Sequence, residues 1–161
     1  MRKEYSAEEA CAKAEAYCTL AERCKSEVRL KLQQLGTAAD VVEGILTHLE
    51  DERFIDELRY AKAFVRDKYR FSQWGRVKIS HALKMKCIMA SYIEEGLKQI
   101  DDEEYQSILS GLLSKKKRTV KYANHYELNG KLIRFAIGHG YEMNEILLCL
   151  KQIGCSDEYL D

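Results

Sequence analysis

The chain has 161 residues, is 46% hydrophobic and 32% charged, contains nine glycines and no proline, and carries a formal charge of zero. This composition excludes a low-hydrophobicity disordered chain and a protein that coats nucleic acid by bulk charge. It fits a single ordered domain, large enough for a sizeable core and free of the residue that breaks helices.

Helix signals begin at Ser6-Ala7-Glu8-Glu9, a capping box in which the serine hydroxyl accepts an N–H while Glu9 reaches back to the serine backbone. The spacing predicts a first helix to about Lys25 and a second from about Ser26 to Leu35, closed by Gly36. Thr37-Ala38-Ala39-Asp40 opens a third, which sets Val42, Ile45, Leu46 and Leu49 on one face before the acidic run LEDERF. A fourth, IDELRYAKAFVRDKYR, has Asp56 as its cap. At roughly 100° per residue its Arg59, Lys62, Arg66 and Arg70 form one cationic stripe, with Tyr60, Phe64 and Phe71 near the opposite side. Trp74 and Gly75 mark the turn into the next helix, where the tryptophan is expected to pack across the turn and Arg76, Lys78 and Lys84 extend the positive field. Further on, Asp101-Asp102-Glu103-Glu104 opens a helix carrying Tyr105, Ile108, Leu109, Leu112 and Leu113, and Gly138-His139-Gly140 reads as a helix-to-helix turn.

These elements repeat. A shift of 51 residues carries Leu32 onto Leu83, Gly36 onto Cys87, Val42 onto Ile93 and Leu46 onto Leu97. A further shift of 53 carries Cys87 onto Gly140, Ile93 onto Ile146 and Leu97 onto Leu150. The fold expected is therefore all-α: three tandem three-helix repeats, about 1–54, 55–104 and 105–161, forming an elongated, curved body.

Charge is unevenly spread over that frame. Residues 58–88 hold nine Lys or Arg against the single acid Asp67, and the rest of the neutral chain must carry the balancing negative charge. Two acidic clusters, Glu43 to Glu57 and Glu94 to Glu104, supply much of it, and LSKKKRTVK forms a second basic patch. Like charges at i, i+4 along the stripe repel by a few tenths of a kcal/mol per pair, and the helix itself supplies no alternating acids. Such polarity suits oriented recognition of a charged partner.

The run Ile55-Asp56-Glu57-Leu58-Arg59-Tyr60-Ala61-Lys62-Ala63-Phe64-Val65-Arg66, then Trp74-Gly75-Arg76-Val77-Lys78-Ile79, then Leu83 and Cys87-Ile88, resembles the RecX recombination regulators. The resemblance implies three tandem three-helix repeats, and a protein that binds the RecA recombinase filament on DNA and restrains its ATP hydrolysis and strand exchange. The residues expected to meet that partner are Arg59, Lys62, Arg66, Arg70, Arg76, Lys78 and Lys84. Two positions depart from the family pattern. Cys87 stands where glycine is usual, so a different closing geometry is expected at that helix end, and Trp74-Gly75 stands where a Gly-Pro pair is common.

No P-loop, G-x-S-x-G or H-E-x-x-H run is present, and His48, His81, His125 and His139 are scattered. Cys11, Cys18, Cys24, Cys87, Cys149 and Cys155 form no C-x-x-C pair and read as small buried thiols. No enzyme activity, cofactor or metal is expected. Neither a long apolar run nor a leader-like N-terminus is present, so a cytoplasmic monomer without membrane contact is expected. The alternative is a helical module that binds DNA directly, without a recombinase partner.

Overall fold

The structure, a computed structural model, describes residues 4–154. Cys155 and the end of the expected third repeat lie outside the described residues. Among the described residues there are nine helices: α1 (Ala7–Leu20), α2 (Lys25–Gln34), α3 (Ala39–Asp51), α4 (Glu57–Arg70), α5 (Arg76–Met85), α6 (Ala90–Leu97), α7 (Asp102–Thr119), α8 (His125–Gly138) and α9 (Met143–Gln152). The protein is all-α and built of three-helix repeats. Its packing forms two compact units, Met1–Ala63 with Leu83–Gly96, and Phe64–Ala82 with Leu97–Asp161.

In the first unit α1, α2 and α3 pack on one another. The stripe expected on α3 is the stripe that is buried: Val42, Ile45, Leu46 and Leu49 meet Ala10 and Ala14 of α1 and Val28 and Leu32 of α2. Each large aliphatic side chain withdrawn from water there contributes about 1.5–3 kcal/mol. Small alanines on α1 let the helices approach closely. In the second unit α7, α8 and α9 pack together, and Tyr69, Tyr105, Leu109, Leu113, Leu128 and Leu132 are fully buried.

Three helix starts follow their sequence cues. Ser6 and Glu9 form the reciprocal capping box, Asp56 Oδ1 accepts from Arg59 N–H at 2.9 Å, and Asp101 Oδ1 accepts from Glu104 N–H at 2.8 Å. The first helix, however, stops at Leu20 rather than near Lys25. Cys24 is the residue that starts α2: Glu27 accepts its N–H at 3.2 Å, while Arg23 folds back to donate to the Tyr17 carbonyl at 3.1 Å. Cysteine is not among the usual caps, so the sequence reads straight through this break.

The repeat is visible in the backbone. Gly36, Cys87 and Gly140 have φ of 78°, 62° and 91°, all left-handed. After each, an N–H reaches back to the residue four positions before the turn: Thr37 to Leu32, Ile88 to Leu83 and Tyr141 to Ala136, each at 3.1 Å. This is the Schellman closure of a helix. Cys87 therefore adopts the same closing geometry as the two glycines, contrary to the expectation drawn from its identity. The same hydrogen bonds impose it, and the cysteine bears a left-handed strain of about 1–2 kcal/mol. Its side chain is exposed, against the expectation of a buried thiol. Cys87→Gly should consequently raise stability by about 0.5–1 kcal/mol, part of the relief being offset by the freer unfolded chain. A higher urea midpoint at unchanged slope is the expected reading; a lower midpoint would show that the cysteine side chain contributes more than its strain costs.

Candidate interaction surface

The cationic stripe lies on α4, one continuous helix whose Tyr60, Val65 and Tyr69 are buried. Phe71 does not join that apolar side: it follows the last residue of the helix and is 81% exposed.

In the first unit, Arg59 Nε donates to Glu22 Oε1 at 2.6 Å, and its Nη2 donates to the Arg53 carbonyl at 3.2 Å. Lys62 is half-buried and Lys84 on α5 is exposed, and neither has a carboxylate within ion-pair distance among the described residues. Lys86, by contrast, faces Glu27 at 3.6 Å.

In the second unit, Arg66 is exposed and likewise has no acidic partner among the described residues. Arg70 Nε donates to Glu104 Oε1 at 2.9 Å and to the Tyr69 hydroxyl at 3.1 Å. Arg76 is the most enclosed of the set. Its Nη1 donates to Glu142 at 2.8 Å, its Nη2 to Asp102 at 2.6 Å, and its guanidinium lies 4.1 Å from the centre of the Tyr105 ring. Burial works against that charge, but the hydrogen bond and attraction of Glu142 outweigh it and the guanidinium pKa is raised. The Tyr105 phenol is pushed up by burial and then by its hydrogen bond to Glu142. Arg76 is therefore a structural cation, fixed between α7 and the start of α9.

Trp74 is half-buried. It meets Phe64 edge-on with centroids 6.3 Å apart, as packing across the turn requires, and two lysines cover it, Lys68 at 4.7 Å and Lys78 at 4.6 Å from the ring centre. Lys68 is absent from the cations expected at this surface. Its i, i+4 spacing from Phe64 is the one sequence signal for the placement, and the lysine stands 5.4 Å from that ring.

In the first unit Glu22 neutralises Arg59 and leaves Lys62 without a carboxylate partner among the described residues; in the second Glu104 neutralises Arg70 and leaves Arg66 without one among them.

A family profile described as "RecX, second three-helix domain" matches residues 56–97. Curated relatives extend the similarity beyond that segment: the regulatory protein RecX of Clostridium acetobutylicum is 27% identical over 135 residues, covering 81% of this chain and 62% of that relative. Residues 56–97 match the second three-helix domain of RecX, and the chain is similar to regulatory proteins RecX. The regulatory protein RecX of Clostridium botulinum strain Eklund 17B is 32% identical over 121 residues, covering 74% of this chain and 56% of that relative. The chain spans about three fifths of the length of these curated RecX relatives. In fold, it is similar to the crystal structure of RecX from Lactobacillus salivarius, with a TM-score of 0.82 at 21% identity over 91% of this chain and 96% of that one. A second crystal structure of a regulatory protein RecX gives a TM-score of 0.80 at 23% identity, covering 90% of this chain and 73% of that one. Arg59, Lys62, Arg66, Arg70, Arg76, Lys78 and Lys84 all fall inside the segment matched as the second three-helix domain of RecX. No helix among the described residues is long and apolar enough to cross a membrane.

Proposed function

We propose that this chain is a noncatalytic, cytoplasmic regulator that binds the RecA recombinase filament as a monomer and restrains its ATPase and strand-exchange activity. The observation that carries the reading is the coincidence of the RecX second-domain match, residues 56–97, with the most basic part of an otherwise neutral chain. Three repeats of about 1–54, 55–104 and 105–161 would give the filament several modest contacts, and linked contacts add in affinity far beyond any one of them. Lys62, Arg66, Lys78 and Lys84 are the cations available to meet acidic protein groups or DNA phosphates, because Arg59, Arg70 and Arg76 already hold carboxylates. No cofactor is required for such a role.

The test is ATP hydrolysis by the cognate RecA on single-stranded DNA, paired with titration of bare DNA at two salt concentrations. Inhibition at concentrations where bare DNA remains unbound is the expected result. Tight binding to bare DNA that falls steeply with salt, as phosphate neutralisation requires, and that is indifferent to RecA would replace the filament reading with a direct DNA-binding one.

A further inference from the structure

Cys11 and Glu15 stand one turn apart on α1, and His48 of α3 reaches the same point. Cys11 Sγ donates to Glu15 Oε1 at 3.5 Å, and His48 Nε2 lies 3.1 Å from that same oxygen. All three ligand atoms lie within 4.8 Å of one another. The geometry points to a binding site for zinc or a similar borderline-soft divalent cation, held by the Cys11 thiolate, the Glu15 carboxylate and the His48 imidazole.

Bond lengths of about 2.0–2.3 Å to sulfur, nitrogen and oxygen imply donor-to-donor edges of roughly 3.3–3.7 Å in a tetrahedron. The two separations that involve Glu15 already lie near that range, so the cation requires only that the sulfur and the imidazole nitrogen draw together on one side of the carboxylate. The donors come from two helices packed through Ala10, Ala14, Leu46 and Leu49, which are buried, so the frame that carries them is rigid. Cys11 and Glu15 are half-buried and His48 is exposed, which leaves a solvent-facing fourth position for water. A thiolate beside an imidazole selects zinc over magnesium or calcium, which prefer oxygen donors alone.

The charges balance. Burial, and after it the neighbouring Glu15, raises the Cys11 pKa, so the thiol is protonated when the cation arrives. Binding releases that one proton to solvent, and the resulting thiolate and carboxylate together offset the two positive charges. His48 binds as neutral imidazole through Nε2 with its hydrogen on Nδ1, and no electron is transferred. The outcome is a clip between α1 and α3, independent of the basic surface on α4.

The experiment is titration of the reduced, chelator-treated full chain with cobalt(II), followed by displacement with zinc. One equivalent of cobalt should give a thiolate-to-metal absorption band that zinc abolishes. Both Cys11→Ser and His48→Ala should weaken cobalt binding at least about tenfold, given that even the outer partners of metal ligands are worth about 10–100-fold. Every other cysteine is retained in both variants, so adventitious thiol binding would survive them. His48→Ala alters an exposed side chain and decides the case alone should Cys11→Ser fail to fold. Absence of the band in the parent chain, or a loss smaller than tenfold in either folded variant, overturns the site.

Discussion

Gly140→Ala is expected to cost about 4 kcal/mol or more, a large share of the roughly 5–15 kcal/mol that holds an ordinary protein folded. A Cβ at Gly140 would lie 2.2 Å from Lys78 Cβ and 2.6 Å from the Lys78 nitrogen, and the residue's φ is +91°. The neighbouring atoms belong to the first turn of α5, so no flexible side-chain end can yield. The partner surface is equally tight, since a Cβ at Gly75 would lie 2.3 Å from the Gly140 carbonyl carbon. This close approach exists because the turn between α8 and α9 caps α5. Gly75 N–H donates to the His139 carbonyl at 2.7 Å, Val77 N–H donates to the Gly140 carbonyl at 2.9 Å, and Arg76 N–H donates to the Tyr105 hydroxyl at 3.0 Å. Forcing the turn away exposes those donors at about 1 kcal/mol each, on top of about 1–2 kcal/mol of left-handed strain. Gly44→Ala supplies the comparison. Gly44 lies exposed within α3 and a Cβ there meets nothing, so the same substitution should stabilise by about 0.5–1 kcal/mol. Urea unfolding of the two variants should move in opposite directions; a Gly140→Ala midpoint near that of the parent would show that the two turns are not locked together.

That cap also explains what could and could not be read from the sequence. Glycines 51 and 53 residues either side of Cys87 were enough to locate three equivalent helix ends, because left-handed closure is a local property and leaves a local residue signature. The buried stripes of α3 and α7 were legible for the same reason: periodicity is local. The start of α5 was visible only as a turn, since every group that satisfies its first N–H donors comes from α7 or from the end of α8. The charge partners were hidden in the same way. Glu22 lies 37 residues from Arg59, and Glu104 lies 34 residues from Arg70. Nothing in the spacing of α4 reveals that its end arginines are paired and its middle cations are not. Cys11, Glu15 and His48 present the same difficulty, for the histidine joins the i, i+4 pair only through the packing of α1 on α3.

On the proposed filament-binding reading, the unpaired cations are where function should be most sensitive. Under that reading, Lys62→Glu combined with Arg66→Glu is expected to weaken association with the RecA filament by about 100-fold, taking about 1–2 kcal/mol for each reversed contact with a negative partner. Helicity and thermal stability should stay close to those of the parent, because neither side chain has a carboxylate partner to lose and substitutions at such positions usually fall within about 0.5 kcal/mol. Arg59→Glu would be a poorer probe. It would set a carboxylate beside Glu22, which now bonds Arg59 at 2.6 Å, and would disturb the start of α4 as well as any partner. Lys115→Glu with Arg118→Glu, both exposed on α7, changes net charge by the same amount outside the segment matched as the second RecX domain. That pair should leave inhibition of RecA ATP hydrolysis within about threefold of the parent, since distant rim charges act chiefly through a screened field. Equal losses in the two double variants would mean that only net charge is sensed. An unchanged inhibition constant for Lys62→Glu with Arg66→Glu would remove these two residues from the proposed interface, because no acid among the described residues pairs with either of them.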